Sequence, residues 1–318
     1  MPKRFQSRLA SEMKAFMRFK QGLGQSYERG GHALRSFDRY IAKHDLGGGP
    51  LDWPTMVSGW LSRRPMRKSN SVAQDMAALR QFCLFRRRSD PGGFVPDSDW
   101  IPPATGAKFV AYPLSPLEVA ELIRRTQDLE DLPLRRSGIR ALLCMLYSTG
   151  LRLGEALHLR CTDVDWKERC FFIRMSKGRS RRVPFRVDLL KELNKYREER
   201  RRHVPETSNS FLLCRADGSA YSVPSASVTI RQLMRQAGFK PPQGRLGPRP
   251  HDLRHAFANE RLRRWYQTGA DLQRRLPDLS VYLGHQNLLG TEIYLKARPE
   301  LLRMASRRMA MRFKGTEQ

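Results

Sequence analysis

Residues 139–157 read Ile-Arg-Ala-Leu-Leu-Cys-Met-Leu-Tyr-Ser-Thr-Gly-Leu-Arg-Leu-Gly-Glu-Ala-Leu. The apolar run from Ile139 to Tyr147 predicts a helix that stops at Thr149-Gly150, since glycine adopts the backbone conformations that end helices. A second helix is expected from about Leu151, with Arg152 in its first turn. There a guanidinium and the unpaired N–H groups of a helix start can face one anion together. Taken singly, an Arg after a Gly is ordinarily a surface residue. The stretch therefore speaks first for packed helices, and for chemistry only in company with other sites.

Downstream, Cys170-Phe171-Phe172-Ile173-Arg174-Met175 has the β-branched and aromatic content of a strand. Lys177-Gly178-Arg179-Ser180 reads as a turn, and Arg181-Arg182-Val183-Pro184-Phe185 as the returning strand. Asp163-Val164-Asp165 is a further short strand or a turn. A flexible hairpin tip can carry Lys177 into a DNA groove, with Arg179, Arg181 and Arg182 beside it. Read alone, the segment is a basic, solvated hairpin. Pro250-His251-Asp252-Leu253-Arg254-His255-Ala256-Phe257 opens a helix expected to run to about Trp265. His251 and Arg254 are three apart and share a helical face. Leu253 and Phe257 share another that can pack inward, and His255 reads as a packed helix histidine. Leu283-Gly284-His285 follows, with Gly284 suited to a helix end, and Tyr294 comes nine residues later.

These four sites, in this order, resemble the tyrosine recombinase (phage integrase) family. The motifs are Arg152 within TGLRLGEAL, Lys177 within SKGRSRRVPF, His251 and Arg254 within HDLRHAF, and His285 within LGH with Tyr294 after it. The resemblance covers about residues 113–301. Leu276 to His285, LPDLSVYLGH, and the long stretch between Arg254 and His285 are similar to a branch associated with transposable elements. What the resemblance implies is a metal-free and cofactor-free strand transfer. Tyr294 attacks the scissile phosphodiester, forms a 3′-phosphotyrosyl link and releases a 5′-hydroxyl. A phenol with a pKa of about 10 is a weak nucleophile at neutral pH, so it needs a cationic pocket. In that pocket Arg152 and Arg254 hold the non-bridging oxygens and Lys177 protonates the leaving oxygen. His251 takes the tyrosine proton and His285 hydrogen-bonds the phosphate. Glu155 is open to two readings, a partner that orients Arg152 or His251 or a plain surface acid. The covalent link conserves the bond energy, in keeping with the lack of a Walker-A pattern and of a clear carboxylate cluster for two metals.

Upstream, Phe5, Leu9, Met13, Phe16, Met17, Phe19, Ala33, Leu34, Phe37 and Tyr40 recur at roughly helical spacing, so residues 1–47 read as helical. Gly47-Gly48-Gly49-Pro50 breaks the pattern. Helices are expected over Thr55 to Leu61 and Ser71 to Phe85, the latter followed by Arg86-Arg87-Arg88, which read equally as a solvated basic end or as phosphate contacts. The Pro-, Gly- and Asp-rich stretch from Ser89 to Pro113 reads as a linker, and Ser115-Pro116-Leu117-Glu118 as a capped helix start. This places a boundary near residue 110. The expected architecture is mainly α, a two-domain C-shaped DNA clamp. Residues 1–110 form a helical core-binding domain. Residues 111–318 form a mostly helical catalytic domain with a small antiparallel sheet and a C-terminal helix over 300–312, which the resemblance docks on a neighbouring protomer.

Charge points the same way. The 318 residues carry 59 Lys+Arg against 31 Asp+Glu, a net +28. Residues 1–110 hold 19 basic and 9 acidic side chains and the remainder 40 and 22, so the excess is not a single tail. Such a balance suits a polyanion, because each neutralised phosphate releases a counterion. Five cysteines, an odd number without a CxxC pair, support neither a disulfide framework nor a zinc knuckle, and Cys83 and Cys144 lie in apolar helical patterns. No apolar run approaches a membrane span, and no signal peptide is read. The expected partners are a double-stranded DNA recombination site, a second protomer on that site, a tetramer in the synapse, and accessory DNA-bending or partner recombinase proteins. The expected location is the bacterial cytoplasm, with the nucleoid. Three other readings stand beside this one. A type IB topoisomerase shares the tyrosine chemistry but not the compact motif spacing. A DNA-binding factor without catalysis has no use for Tyr294. An RNA-binding protein lacks support from any RNP-like strand.

Overall fold

The computed structural model describes residues 5–45, 47, 49–63, 67–101, 111–129, 133–176, 179–207, 209–244 and 246–285. The chain divides into two compact units, Met1–Phe109 and Val110–Gln318.

The first unit is built from α1 (Ala10–Gly22), α2 (Glu28–His44), α3 (Trp53–Ser62) and α4 (Ser69–Arg86). Met13, Phe16, Leu34, Phe37, Val57, Trp60, Met76, Leu79 and Phe82 form its core. Burial of each large apolar side chain stabilises the unit by about 1.5–3 kcal/mol. The helical stretch expected over residues 1–47 forms, among the described residues, as the two helices α1 and α2. Gly24 has φ 73° and Tyr27 has φ 45°, and this left-handed backbone ends α1 and starts α2. The buried Asp38 carboxylate ties the N-terminal segment to α2, accepting from Gln6 N at 2.8 Å, Ser7 N at 3.0 Å and Ser7 Oγ at 2.6 Å. The expected linker also begins later than its composition implies. Phe94, Val95, Trp100 and Ile101 pack on the first unit, with Phe94 stacked on Trp53 at 5.5 Å.

The second unit contains α5 (Pro116–Arg125), α6 (Pro133–Thr149), α7 (Leu153–Leu157), β1 (Val164–Asp165), β2 (Cys170–Ser176), β3 (Arg179–Pro184), α8 (Val187–Arg201), α9 (Val223–Gln236), α10 (Asp252–Gln267) and α11 (Leu272–Leu283). The capping box expected at Ser115 forms, with Glu118 N donating to Ser115 Oγ and Ser115 N to the Glu118 carboxylate. Helix α6 is the spine, buried along Ile139, Leu142, Leu143, Met145 and Leu146 and packed against α8 and α10. The strands form an antiparallel sheet in the order β1-β2-β3. Phe171 pairs with Val183 and Ile173 with Arg181, and Ser176 pairs with Arg179. Arg179 and Ser180 thus belong to the returning strand rather than to the turn. Among the described residues, no helix is long and apolar enough to cross a membrane.

Candidate active site

The site begins at the break between α6 and α7. Gly150 has φ +65°, and a Cβ built there would lie 2.5 Å from Phe257 Cδ1. Only glycine provides both the left-handed turn and this approach to α10. The turn delivers Arg152 to the residue that caps α7, in extended backbone with φ −70° and ψ 147°. The helix starts at Leu153 rather than at about Leu151, so Arg152 precedes the first turn instead of lying in it. Its own N–H is taken by the Glu155 carboxylate at 2.9 Å, so this helix start holds a side-chain acid of its own.

Glu155 is not a plain surface acid. Its side chain is 6% exposed and lies between two guanidiniums. Arg152 Nη1 donates to Oε1 at 2.7 Å, and Arg181 Nη2 donates to Oε2 at 2.8 Å. Of the two readings left open, the structure supports orientation of Arg152.

Helix α11 closes the site with its C-terminal end. Asp271 caps its start by accepting from Gln273 N and Arg274 N. Gly284, at φ 67°, reverses the chain at its end, where His285 N donates to Ser280 O and Gly284 N to Val281 O. Among the described residues, the next three carbonyls each accept from a different arginine. Arg181 Nε donates to Tyr282 O at 2.8 Å, Arg254 Nη2 to Leu283 O at 2.6 Å, and Arg152 Nη2 to Gly284 O at 2.8 Å. Arg254 Nη1 also donates to Gly150 O at 2.8 Å. These bonds join α6, β3, α10 and α11 at one point. The partial negative charge of a helix C-terminus favours the cations gathered there.

The histidines of the motifs lie beside these cations. His251 precedes α10, its ring edge-on to His255 at 5.0 Å. Desolvation against its neighbours, with the charges of His255 and Arg254, pulls the His251 pKa down to about 4. Desolvation, with Arg254 and Arg152 close by, likewise pulls His285 down to about 4. Both imidazoles are therefore neutral near pH 7, a form that can accept a proton. His255 is buried, as its packed reading required, and Leu253 and Phe257 also point inward.

The structure thus brings together Arg152, His251, Arg254 and His285, and adds Glu155 and Arg181. Lys177, Tyr294 and the helix expected over 300–312 lie outside the described residues. Among the residues read as DNA contacts, Arg181 is corrected. Its side chain is only 8% exposed and is held by Glu155 and Tyr282. Strand parity explains this, because Arg181 shares the inward face with buried Val183, while Arg182 is exposed on the other face opposite Phe172. In the first unit, Arg86 pairs with Glu12 and lies over Trp53 at 4.9 Å. Arg87 Nε donates to Gly93 O at 2.9 Å, and Arg88 lies over Phe19 at 4.4 Å.

Residues 114–300, more than half of the chain, match the phage integrase family. An integrase/recombinase of Sinorhizobium fredii, y4rB, is 29% identical over 95% of this chain and 96% of its own length. The tyrosine recombinase XerC of Oceanobacillus iheyensis is 29% identical over 81% of this chain and 78% of its own. A solved structure of the Tn1549 transposon integrase with circular intermediate DNA superposes with a TM-score of 0.65. It covers 94% of this chain and 99% of that one at 17% identity, a likeness of fold. Family, fold and the arginine-lined site agree: this chain belongs to the phage integrase family of tyrosine recombinases, enzymes that break and rejoin DNA strands in site-specific recombination.

Proposed function

We propose that Tyr294 is the nucleophile of this recombinase and that the residues around the end of α11 form its phosphate pocket. The observation that carries this reading is the convergence of Arg152, Arg254, neutral His251 and neutral His285 on the turn from which the chain leads to Tyr294. The tyrosine oxygen attacks phosphorus, its proton passes to His251, and the bond to the 5′-oxygen breaks as Lys177 supplies that oxygen with a proton. Arg152 and Arg254 neutralise the charge that builds on the non-bridging oxygens, and His285 donates a hydrogen bond to one of them. Reversal of the same step by a 5′-hydroxyl from another duplex rejoins the strands. No external energy source is needed, because the phosphotyrosyl ester replaces the broken phosphodiester.

Double-stranded DNA is the substrate, and the first unit supplies the second binding surface, a role supported by its own positive balance. Of its candidate contacts, Arg87 and Arg88 sit at the exposed end of α4. On the second unit, Arg182 and the hairpin residue Arg179 are the candidates. The names of y4rB and XerC support recombination over topoisomerase action. The Tn1549 integrase supports a mobile element as the setting, with integration, excision or resolution as the outcome. Two protomers on one site and four in the synapse, joined through residues 300–312, complete the assembly, with accessory DNA-bending or partner recombinase proteins and a place on the bacterial nucleoid.

Covalent trapping tests the core of this reading. The protein is incubated in EDTA with nicked duplexes carrying DNA that flanks its gene, and any DNA-linked peptide is mapped after denaturing electrophoresis. An EDTA-resistant adduct on the peptide holding Tyr294 is expected, and Tyr294→Phe should bind the same DNA without forming it. An adduct formed normally by Tyr294→Phe overturns the assignment of the nucleophile.

A further inference from the structure

We propose that Arg181 is a positioning residue, which through Glu155 and the Tyr282 carbonyl fixes the Arg152 guanidinium and preserves its charge for the substrate phosphate. This rests on the role given above to Arg152. The Glu155 carboxylate is shared almost symmetrically. Oε1 accepts from Arg152 Nη1 at 2.7 Å and from Arg181 Nη1 at 3.2 Å. Oε2 accepts from the Arg152 backbone N–H at 2.9 Å and from Arg181 Nη2 at 2.8 Å. Glu155 and Arg181 are both buried, at 6% and 8% side-chain exposure, whereas Arg152 at 19% is the member that reaches solvent.

Two consequences follow from this order. A single arginine facing Glu155 would form a neutral pair, and Arg152 would offer little net charge to an incoming phosphate. A second guanidinium on the same carboxylate restores one net positive charge, on the side where Arg152 is open. The pair is also rigid. Arg181 is bonded through Nε to Tyr282 O, one residue before the carbonyl that holds Arg254 and two before the one that holds Arg152. Glu155 is therefore tied, through Arg181, to the end of α11 and cannot swing freely. Gly284 makes room for this, since a Cβ there would lie 2.7 Å from Arg181 Nη1. Preorganised charge of this kind acts in the transition state without reorganisation at the moment of reaction.

The test uses the full-length protein and the variants Arg181→Ala and Arg181→Lys. Nitrogen-15 spectra of the free protein read the arginine side chains, with Arg152→Lys and Arg254→Lys used to assign them. Wild-type Arg152 should show hindered rotation of its Nη groups, and Arg181→Ala should release it. Arg254, which bonds to Gly150 O and Leu283 O, should remain hindered and serve as the internal control. On a duplex that traps the wild type, Arg181→Ala should slow adduct formation by about 10²-fold with DNA affinity unchanged, the cost of a misplaced group. Arg181→Lys should recover part of the rate. If Arg152 stays hindered in Arg181→Ala, or if Arg152 and Arg254 are released together, the positioning role is wrong. Failure of the wild type to form any adduct would overturn the recombinase mechanism instead, and the spectra would still decide the role of Arg181.

Discussion

Arg254 on α10 donates from Nη1 to the carbonyl of Gly150, 104 residues earlier in the chain, at 2.8 Å with its side chain 1% exposed. The same guanidinium reaches Leu283 O. The group proposed to touch phosphate thus also joins three helices. Arg254→Ala should lose stability as well as cleavage. Two buried carbonyls lose their partner, at about 1–3 kcal/mol each. Denaturant unfolding measures this loss. A melt indistinguishable from wild type would show that Arg254 serves chemistry alone.

Gly284→Ala tests the turn after α11. The substitution places a side chain at φ +67° and drives a methyl into the Arg181 guanidinium. Strain of about 1–3 kcal/mol is expected, together with a slower cleavage step, because the row of carbonyls moves. Parallel thermal melts and single-turnover cleavage read the two effects.

The histidines set a pH dependence of stability. His251 and His285 titrate at about 4 in the folded chain, below the ordinary histidine value of about 6.5. Between these values the unfolded chain binds more protons, so stability rises with pH across that window. The contribution is fully present above about pH 6.5 and is lost as pH falls toward 4. Unfolding midpoints at pH 7 and pH 5 should differ less in His251→Asn and His285→Asn than in the wild type. An equal difference in all three proteins would assign the acid sensitivity to other groups.

In the first unit, Asp38→Ala removes an acceptor that serves Gln6 and Ser7. Amide hydrogen exchange at Gln6 and Ser7 should accelerate strongly, with a stability loss of about 2 kcal/mol from the unpaired N–H groups. Unchanged protection at these amides would mean that apolar packing of Phe5 and Leu9 alone holds the segment.

The local structure at Gly150, at His251 and Arg254, and at Gly284 was legible because each is a short local pattern: a helix stop, a histidine and an arginine three apart, a glycine ending α11. Helix α8 was not. It is dense in Lys, Arg and Glu, and only Leu189, Leu193 and Tyr196 among its apolar residues are buried, so its inward stripe is narrow. The division of residues 1–47 was missed because apolar spacing continues on both sides of the left-handed turn at Gly24 and Tyr27. Arg181 was misread through attention to charge over parity. Val183 and Phe185 alternate as buried residues, and that alternation already placed Arg181 on the inner face. The row of carbonyls on α11 had no signature at all, since backbone acceptors carry no residue identity.

That anonymity bears on how the protein can change over generations. Acceptors supplied by the main chain survive most exchanges of the side chains that carry them. Positions 282 and 283 are free to drift wherever their packing against Phe257 and its neighbours permits, and the arginines would find the same oxygens. Of these three positions, 284 alone is tied to one amino acid, by its backbone angle and by the guanidinium pressed against it. Variation should therefore collect in the last turn of α11 and stop at the glycine.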